Sequence, residues 1–321
     1  MKLSNYLKKS ISAGIGNILG SALIAIVFIP LIIQNIGMEM YGIWALLFIF
    51  IGISSIADFG ISKSLVYFIP KQRTEEDVNE VYSAGFFLNS LMVLLVGVVG
   101  IIIYLSRVDV WGNNQSLSSE LGQKLILYGI IIACCSLATS FYRSTLEALY
   151  KIYIVNVGYL ILTASNYISI YTLSLFTKKV DYFIICTTSV YVIIFLFHLL
   201  IVHLNTPVSL HIPKFTSVKR ILDCAIGFLS ISLLNTIVEP SNRYLFVVLS
   251  ENAQDYGIFD IALKIAMIFS NCLSTFATPL FSVFAGYGKT RIDEIKRILN
   301  HYFIALGGFY IFGCLLFFVA G

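Results

Sequence analysis

Runs of about twenty apolar residues follow one another along almost the whole of this 321-residue chain, parted by short polar breaks. A helix that crosses a hydrocarbon core of ~30 Å needs ~20 mostly apolar residues. Nine segments meet that need: roughly 11–34, 42–68, 82–105, 121–147, 153–177, 182–204, 221–249, 256–283 and 299–321. Charged residues are 12% of the sequence and hydrophobic ones 58%; soluble domains usually carry roughly 25% charge. A soluble fold of this size has too little interior for so much apolar surface, whereas lipid is a solvent for it. The implied fold class is all-α, a polytopic membrane helix bundle.

The N-terminal run "ISAGIGNILGSALIAIVFIPLII" follows Lys2, Lys8 and Lys9. It is too long for the apolar core of a signal peptide and no small-residue cleavage site closes it, so it reads as a retained first span. Lys and Arg set the orientation. Fourteen of the 21 fall on the side of the N-terminus, four (Arg107, Lys124, Lys178, Lys179) fall opposite, and Lys63, Arg243 and Lys264 lie inside spans. That bias puts the N-terminus in the cytoplasm. The region "HLNTPVSLHIPKFTSVKR" is the natural linker. It divides a six-helix lobe (1–204), through a cytoplasmic linker (205–220), from a partial C-terminal lobe of three helices (221–321). The chain stops at "GCLLFFVAG" without a polar tail, and the expectation is of a chain cut short.

The net charge of +4 is small and its basic residues are scattered, so nucleic acid is not an expected partner. The six cysteines all fall within apolar runs and show no ligand spacing, which reads as buried apolar side chains. No nucleophile–base pair, Gly-rich phosphate loop or metal spacing is visible. No catalytic or metal site, and no cofactor beyond a coupling proton or sodium ion, is therefore expected.

The second half begins like the first. "IGMEMYGIWALL" (Ile36 to Leu47) and "ENAQDYGIFDIAL" (Glu251 to Leu263) share Tyr-Gly-Ile-aromatic after an acidic stretch. Upstream of each, a proline sits within a span, Pro30 in the first and Pro240 in the seventh, where it frees a carbonyl and bends the axis. A parallel internal repeat about an axis along the membrane normal would have this form.

These motifs, with "DFGISKSLVYF" (Asp58 to Phe68) and "YRSTLEALYKIYIVNVG" (Tyr142 to Gly158), carry a family resemblance. The chain resembles the bacterial polysaccharide transporters, the Wzx-type O-antigen flippases of the superfamily that also holds the multidrug and toxin extruders (MATE). The resemblance implies a MATE-like pair of lobes around a central cavity and a multi-pass protein of the bacterial inner membrane. It also implies flipping of a polyprenyl-diphosphate-linked oligosaccharide for surface polysaccharide or lipopolysaccharide assembly, by alternating access. Its partners would be that lipid-linked substrate, the bilayer and other membrane proteins of polysaccharide assembly.

Charged side chains within spans are costly and generally mark a pathway. Six stand out: Asp58, Lys63, Glu239, Arg243, Asp260 and Lys264. Glu239 and Arg243 are at i, i+4, and so are Asp260 and Lys264. Each acid can neutralise the cation one turn on, so the pairs serve either insertion alone or a site. Arg243 lies ~9 Å and Lys264 ~12 Å from the outer ends of their spans, at 1.5 Å per residue. If both face the cavity they form a cationic patch for a diphosphate, with Glu239 and Asp260 tuning them. Asp58 has no obvious partner and is a candidate proton or sodium coupling site, unless Ser54, Ser55 or Ser62 holds it. Arg143, Glu147 and Lys151 share one helical face, read first as solvated at the interface, with a cytoplasmic gate that contacts the substrate head group as the alternative. A cation-coupled multidrug extruder remains the alternative function, although three acids balanced by three bases do not favour cations. A membrane enzyme of polysaccharide assembly stands behind both, for want of a catalytic loop.

Overall fold

The computed structural model describes residues 3–108, 110–111, 117, 119–250, 252–267 and 307–308, with the side chains of 3–8, 11, 231–236 and 239 left aside. Among the described residues the chain is helical apart from short connections, without a strand. In chain order the helices are α1 (Leu3–Ile36), α2 (Met38–Ala45), α3 (Leu47–Ala57), α4 (Ile61–Phe68), α5 (Glu75–Ser106), α6 (Ser119–Ala148), α7 (Ile152–Phe176), α8 (Val180–Asn205) and α9 (Phe215–Leu249). A tenth, α10, covers 253–267.

Six described stretches are long and apolar enough to cross a membrane: Ser12–Ile36, Met38–Ala57, Glu75–Ser106, Ser119–Ala148, Ile152–Phe176 and Val180–Asn205. They match the first six expected spans, with one correction. The second was expected to run unbroken over 42–68, but it ends at Ala57. There Phe59 (φ 51°) and Gly60 (φ 81°) take left-handed backbone and the chain restarts as α4. The seventh expected span is one continuous 35-residue helix, α9. It begins at Phe215 and so absorbs the end of the expected linker. The eighth is described only as far as 267, and nearly all of the ninth lies outside the described residues.

Local chemistry explains the boundaries. Thr74 caps α5, its hydroxyl oxygen accepting from the Asp77 N–H at 3.2 Å, and Glu75, Glu76 and Asp77 fill the positive first turn. Glu80 of α5 then holds the segment that leads into α9. Its carboxylate accepts from the Lys214 N–H at 2.6 Å and meets His211 Nε2 at 2.9 Å. α1 packs along α7, and α6 packs between α3, α5 and α8. Leu19, Leu23 and Ile26 of α1, and Leu94, Ile102 and Leu105 of α5, stay exposed, as a bundle solvated by lipid requires. The interior holds two apolar clusters. One centres on Tyr41, Trp44, Ile32 and Phe183, the other on Leu65, Tyr82, Phe141 and Leu146.

The two Tyr-Gly-Ile-aromatic motifs meet face to face. A β-carbon on Gly42 would lie 1.8 Å from the Ala253 carbonyl oxygen, and one on Gly257 would lie 3.1 Å from that of Met38. Met38 is four residues before Gly42, and Ala253 is four before Gly257. Each glycine thus faces the carbonyl one turn upstream of the other. Such reciprocity is what a two-fold relation between like elements produces, and only glycine lets the backbones come so close.

Candidate functional site

Asp260 is the centre of the buried polar structure. It is 0% exposed, and its two carboxylate oxygens take different cations. Arg243 Nη1 of α9 donates to Oδ1 at 2.8 Å, and Lys264 Nζ of α10 lies 2.5 Å from Oδ2. Tyr41 of α2 donates to Oδ2 at 3.0 Å and accepts from Lys264 at 3.0 Å. Among the described side chains of this cluster, one acid and two bases carry a net positive charge, which a further anion or access to water would offset. The two cations differ in that respect. Arg243 is 5% exposed, and its Nη2 also reaches Met267 Sδ at 3.5 Å. Lys264 keeps contact with open space.

That space is a cavity of about 600 Å³ between α1, α6, α7 and α8, with Lys264 on its wall. The Lys264 ammonium also lies among four aromatic rings, 4.5 Å from the centroid of Phe48, 5.3 Å from Tyr41, 5.6 Å from Trp44 and 5.9 Å from Tyr167. Their faces stabilise a cation that is only part-hydrated. Trp44 is locked by its Nε1–H, which donates to Thr187 Oγ1 of α8 at 2.8 Å.

The cavity holds a second cation, Arg143 of α6, together with Glu147 one turn on. The Arg143 guanidinium lies 3.6 Å from the Tyr159 ring centroid, and its Nε–H points to His198 Nε2 at 3.5 Å. Tyr191 lies within electrostatic reach of both Arg143 and Lys264. Uncharged hydrogen-bonding groups complete the wall: Asn17 and Ser21 of α1, Asn156 and Asn166 of α7.

Comparison with known proteins bears on what this cavity belongs to. The sequence profile of the family described as "Polysaccharide biosynthesis protein" matches residues 6–285. The chain belongs to this family. None of the curated proteins compared with it matches its sequence. Among solved structures it resembles an outward-facing multidrug resistance MATE family transporter of the MOP superfamily, at TM-score 0.70 and 14% identity, over 100% of this chain and 75% of that one. It also resembles the MATE multidrug transporter DinF-BH, at TM-score 0.68 and 14% identity, over 97% and 72%. A third relative by fold is a MOP superfamily transporter from Pyrococcus furiosus, whose binding pocket is described as of reverse polarity; here the TM-score is 0.57 and the identity 15%, over 99% and 71%. This member of the polysaccharide biosynthesis family is thus a multi-pass membrane protein with the MATE-type transporter fold.

Against that fold, the residues singled out in the sequence divide. Asp260 and Lys264 do pair at i, i+4. Arg243 joins the same carboxylate from another helix and is not among the cavity-lining residues. The Glu239 side chain, the partner first expected for Arg243, lies outside the described residues. Asp58 sits in the turn between α3 and α4, where it accepts from the Ser62 N–H at 3.3 Å and the Ser62 hydroxyl at 2.5 Å. Lys63 is exposed. α1 and α9 run on through Pro30 and Pro240, and Pro240 packs against Gly52 of α3.

The solvated face expected for Arg143, Glu147 and Lys151 is corrected for the first two, which stand on the cavity wall. Lys151 alone is outside it, donating to the Asn205 carbonyl. The signal was present in the sequence. Ser140, Arg143, Ser144 and Glu147 recur at helical spacing, which marks a polar stripe that runs from the end of α6 back into its apolar span.

Proposed function

We propose that the protein flips a polyprenyl-diphosphate-linked oligosaccharide across the bacterial inner membrane, with its N-terminus in the cytoplasm, for surface polysaccharide assembly. The observation that carries this reading is the lining of the 600 Å³ cavity, where Arg143 and Lys264 face the same space as the amides of Asn17, Asn156 and Asn166. Two cations suit a diphosphate, and arginine's forked donors suit phosphate oxygens. Amides and tyrosine rings suit the hydroxyls and apolar faces of sugars. In this reading Arg243 does not touch substrate. It holds Asp260, which in turn fixes Lys264 and Tyr41 at the wall. Export of an anion also gains from the membrane potential, by ~2.3 kcal/mol per charge per 100 mV. Lobes rocking about the cavity would alternate access, and the enzymes that build and polymerise the oligosaccharide are the expected neighbours in the membrane.

The test is transport by the Arg143→Ala variant, in cells and in proteoliposomes loaded with lipid-linked oligosaccharide. Transport is expected to fall at least about tenfold, the scale of one charge-assisted hydrogen bond, while the protein stays inserted. Wild-type flipping by this variant would remove the cavity cations from the mechanism. Efflux of a cationic dye by the unaltered protein would support the drug extruder instead.

A further inference from the structure

Arg143 reaches the cavity by a side chain that is held from two sides. His198 of α8 is 0% exposed, and a polar ring buried in a membrane helix is costly unless it is partnered. Its Nδ1–H donates to the Ile194 carbonyl oxygen at 2.9 Å. In the neutral ring that leaves Nε2 as an acceptor, and Nε2 is the atom that faces the Arg143 Nε–H at 3.5 Å. Tyr159 covers one face of the guanidinium at 3.6 Å. The neighbouring glycine makes room for the ring. A β-carbon on Gly158 would lie 2.7 Å from His198 Nε2 and 2.9 Å from its Cε1, so any larger residue there would push the imidazole off its place.

We infer that His198 is the positioning residue that sets the Arg143 guanidinium for an anionic head group; this rests on the cavity reading given above. With Nε–H held by His198 and one face held by Tyr159, the terminal amino groups are the donors left for a ligand, and paired terminal donors match two phosphate oxygens. The imidazole itself stays behind the arginine. Preorganising a long, flexible side chain in this way lowers the entropy lost when the ligand binds.

The probe is a short-chain polyprenyl diphosphate, titrated against the purified protein in detergent. His198→Leu is expected to weaken binding about tenfold. His198→Gln supplies an amide oxygen as acceptor and is expected to restore affinity to within about threefold of wild type. In an Arg143→Ala background, His198→Leu is expected to have no further effect, because the two act as one unit. Normal binding by His198→Leu beside weak binding by Arg143→Ala overturns this inference and leaves the cavity reading intact. The same holds if His198→Leu weakens binding equally in both backgrounds. Normal binding by Arg143→Ala overturns both. Should His198→Leu not fold, His198→Gln and Gly158→Ala carry the test. Gly158→Ala is expected to lose affinity by a similar factor, and wild-type binding by it overturns the inference.

Discussion

Arg243 and Asp260 are bonded at 2.8 Å across two helices, α9 and α10, with both side chains buried. Breaking such a pair from one side leaves an uncompensated charge in a poorly solvated place, at a cost of about 3–5 kcal/mol. Asp260→Asn keeps the shape of the side chain and removes the carboxylate that Arg243 and Lys264 share, so it is expected to lower stability by about that amount. The Asp260→Asn, Arg243→Met double variant leaves Lys264 alone, beside the cavity, and is expected to be more stable than Asp260→Asn. Thermal unfolding in detergent, followed by tryptophan fluorescence, reads both. A double variant less stable than the single one would deny that the charges compensate each other.

The glycine contact gives an asymmetric pair of substitutions. At Gly42 the added carbon would be 1.8 Å from a carbonyl oxygen, and backbone has to move. At Gly257 it would be 3.1 Å from one, a misfit of a few tenths of an ångström. Gly42→Ala is therefore expected to cost about 1–3 kcal/mol or more, as overpacking does, and Gly257→Ala clearly less. The melting temperatures of the two purified variants should rank in that order.

Asp58 is tested by comparing two changes. Its carboxylate accepts from the backbone and hydroxyl of Ser62 at the start of α4, so Asp58→Ala is expected to cost about 1 kcal/mol, the usual size of a lost helix cap. Asp58→Asn keeps an acceptor oxygen, and it is expected to retain most of the stability and most of the transport. A stable Asp58→Asn protein without transport would instead make Asp58 the coupling site for a proton or sodium ion.

Lys264→Met removes a cavity cation but leaves Arg243 on Asp260. Its stability loss is expected to be smaller than that of Asp260→Asn, while its affinity for a polyprenyl diphosphate falls about tenfold or more. Binding titrations beside melting curves separate the two effects. Wild-type affinity in Lys264→Met would place the ligand elsewhere.

How much of this could be read in the sequence depended on distance along the chain. Length and hydropathy placed the first six spans in order and, except at the end of the second and the start of the third, to within a few residues, because lipid thickness fixes how long an apolar helix must be. The Asp260–Lys264 contact was legible for the same local reason, one turn of helix. The Arg243–Asp260 contact was not, since a long side chain at a helix crossing meets whatever the neighbouring helix presents; the Glu239 side chain, which local spacing offered as a partner, lies outside the described residues. The end of the second span was missed because apolar residues continue through Phe59 and Gly60 while the backbone turns left-handed. Arg143 and Glu147 were placed with Lys151 at an interface, because three charges at steps of four look alike until the bundle shows that only the first two turn inward.

Where two main chains touch with no side chain between them, there is no slack for a neighbour to take up a change. The crossing at Gly42 and Gly257 is such a place, and it joins the early part of the chain to the late part beside the Asp260 cluster. A side chain added at either glycine would wedge the two helices apart and carry that displacement straight to Tyr41 and Asp260, which stand one and three residues away.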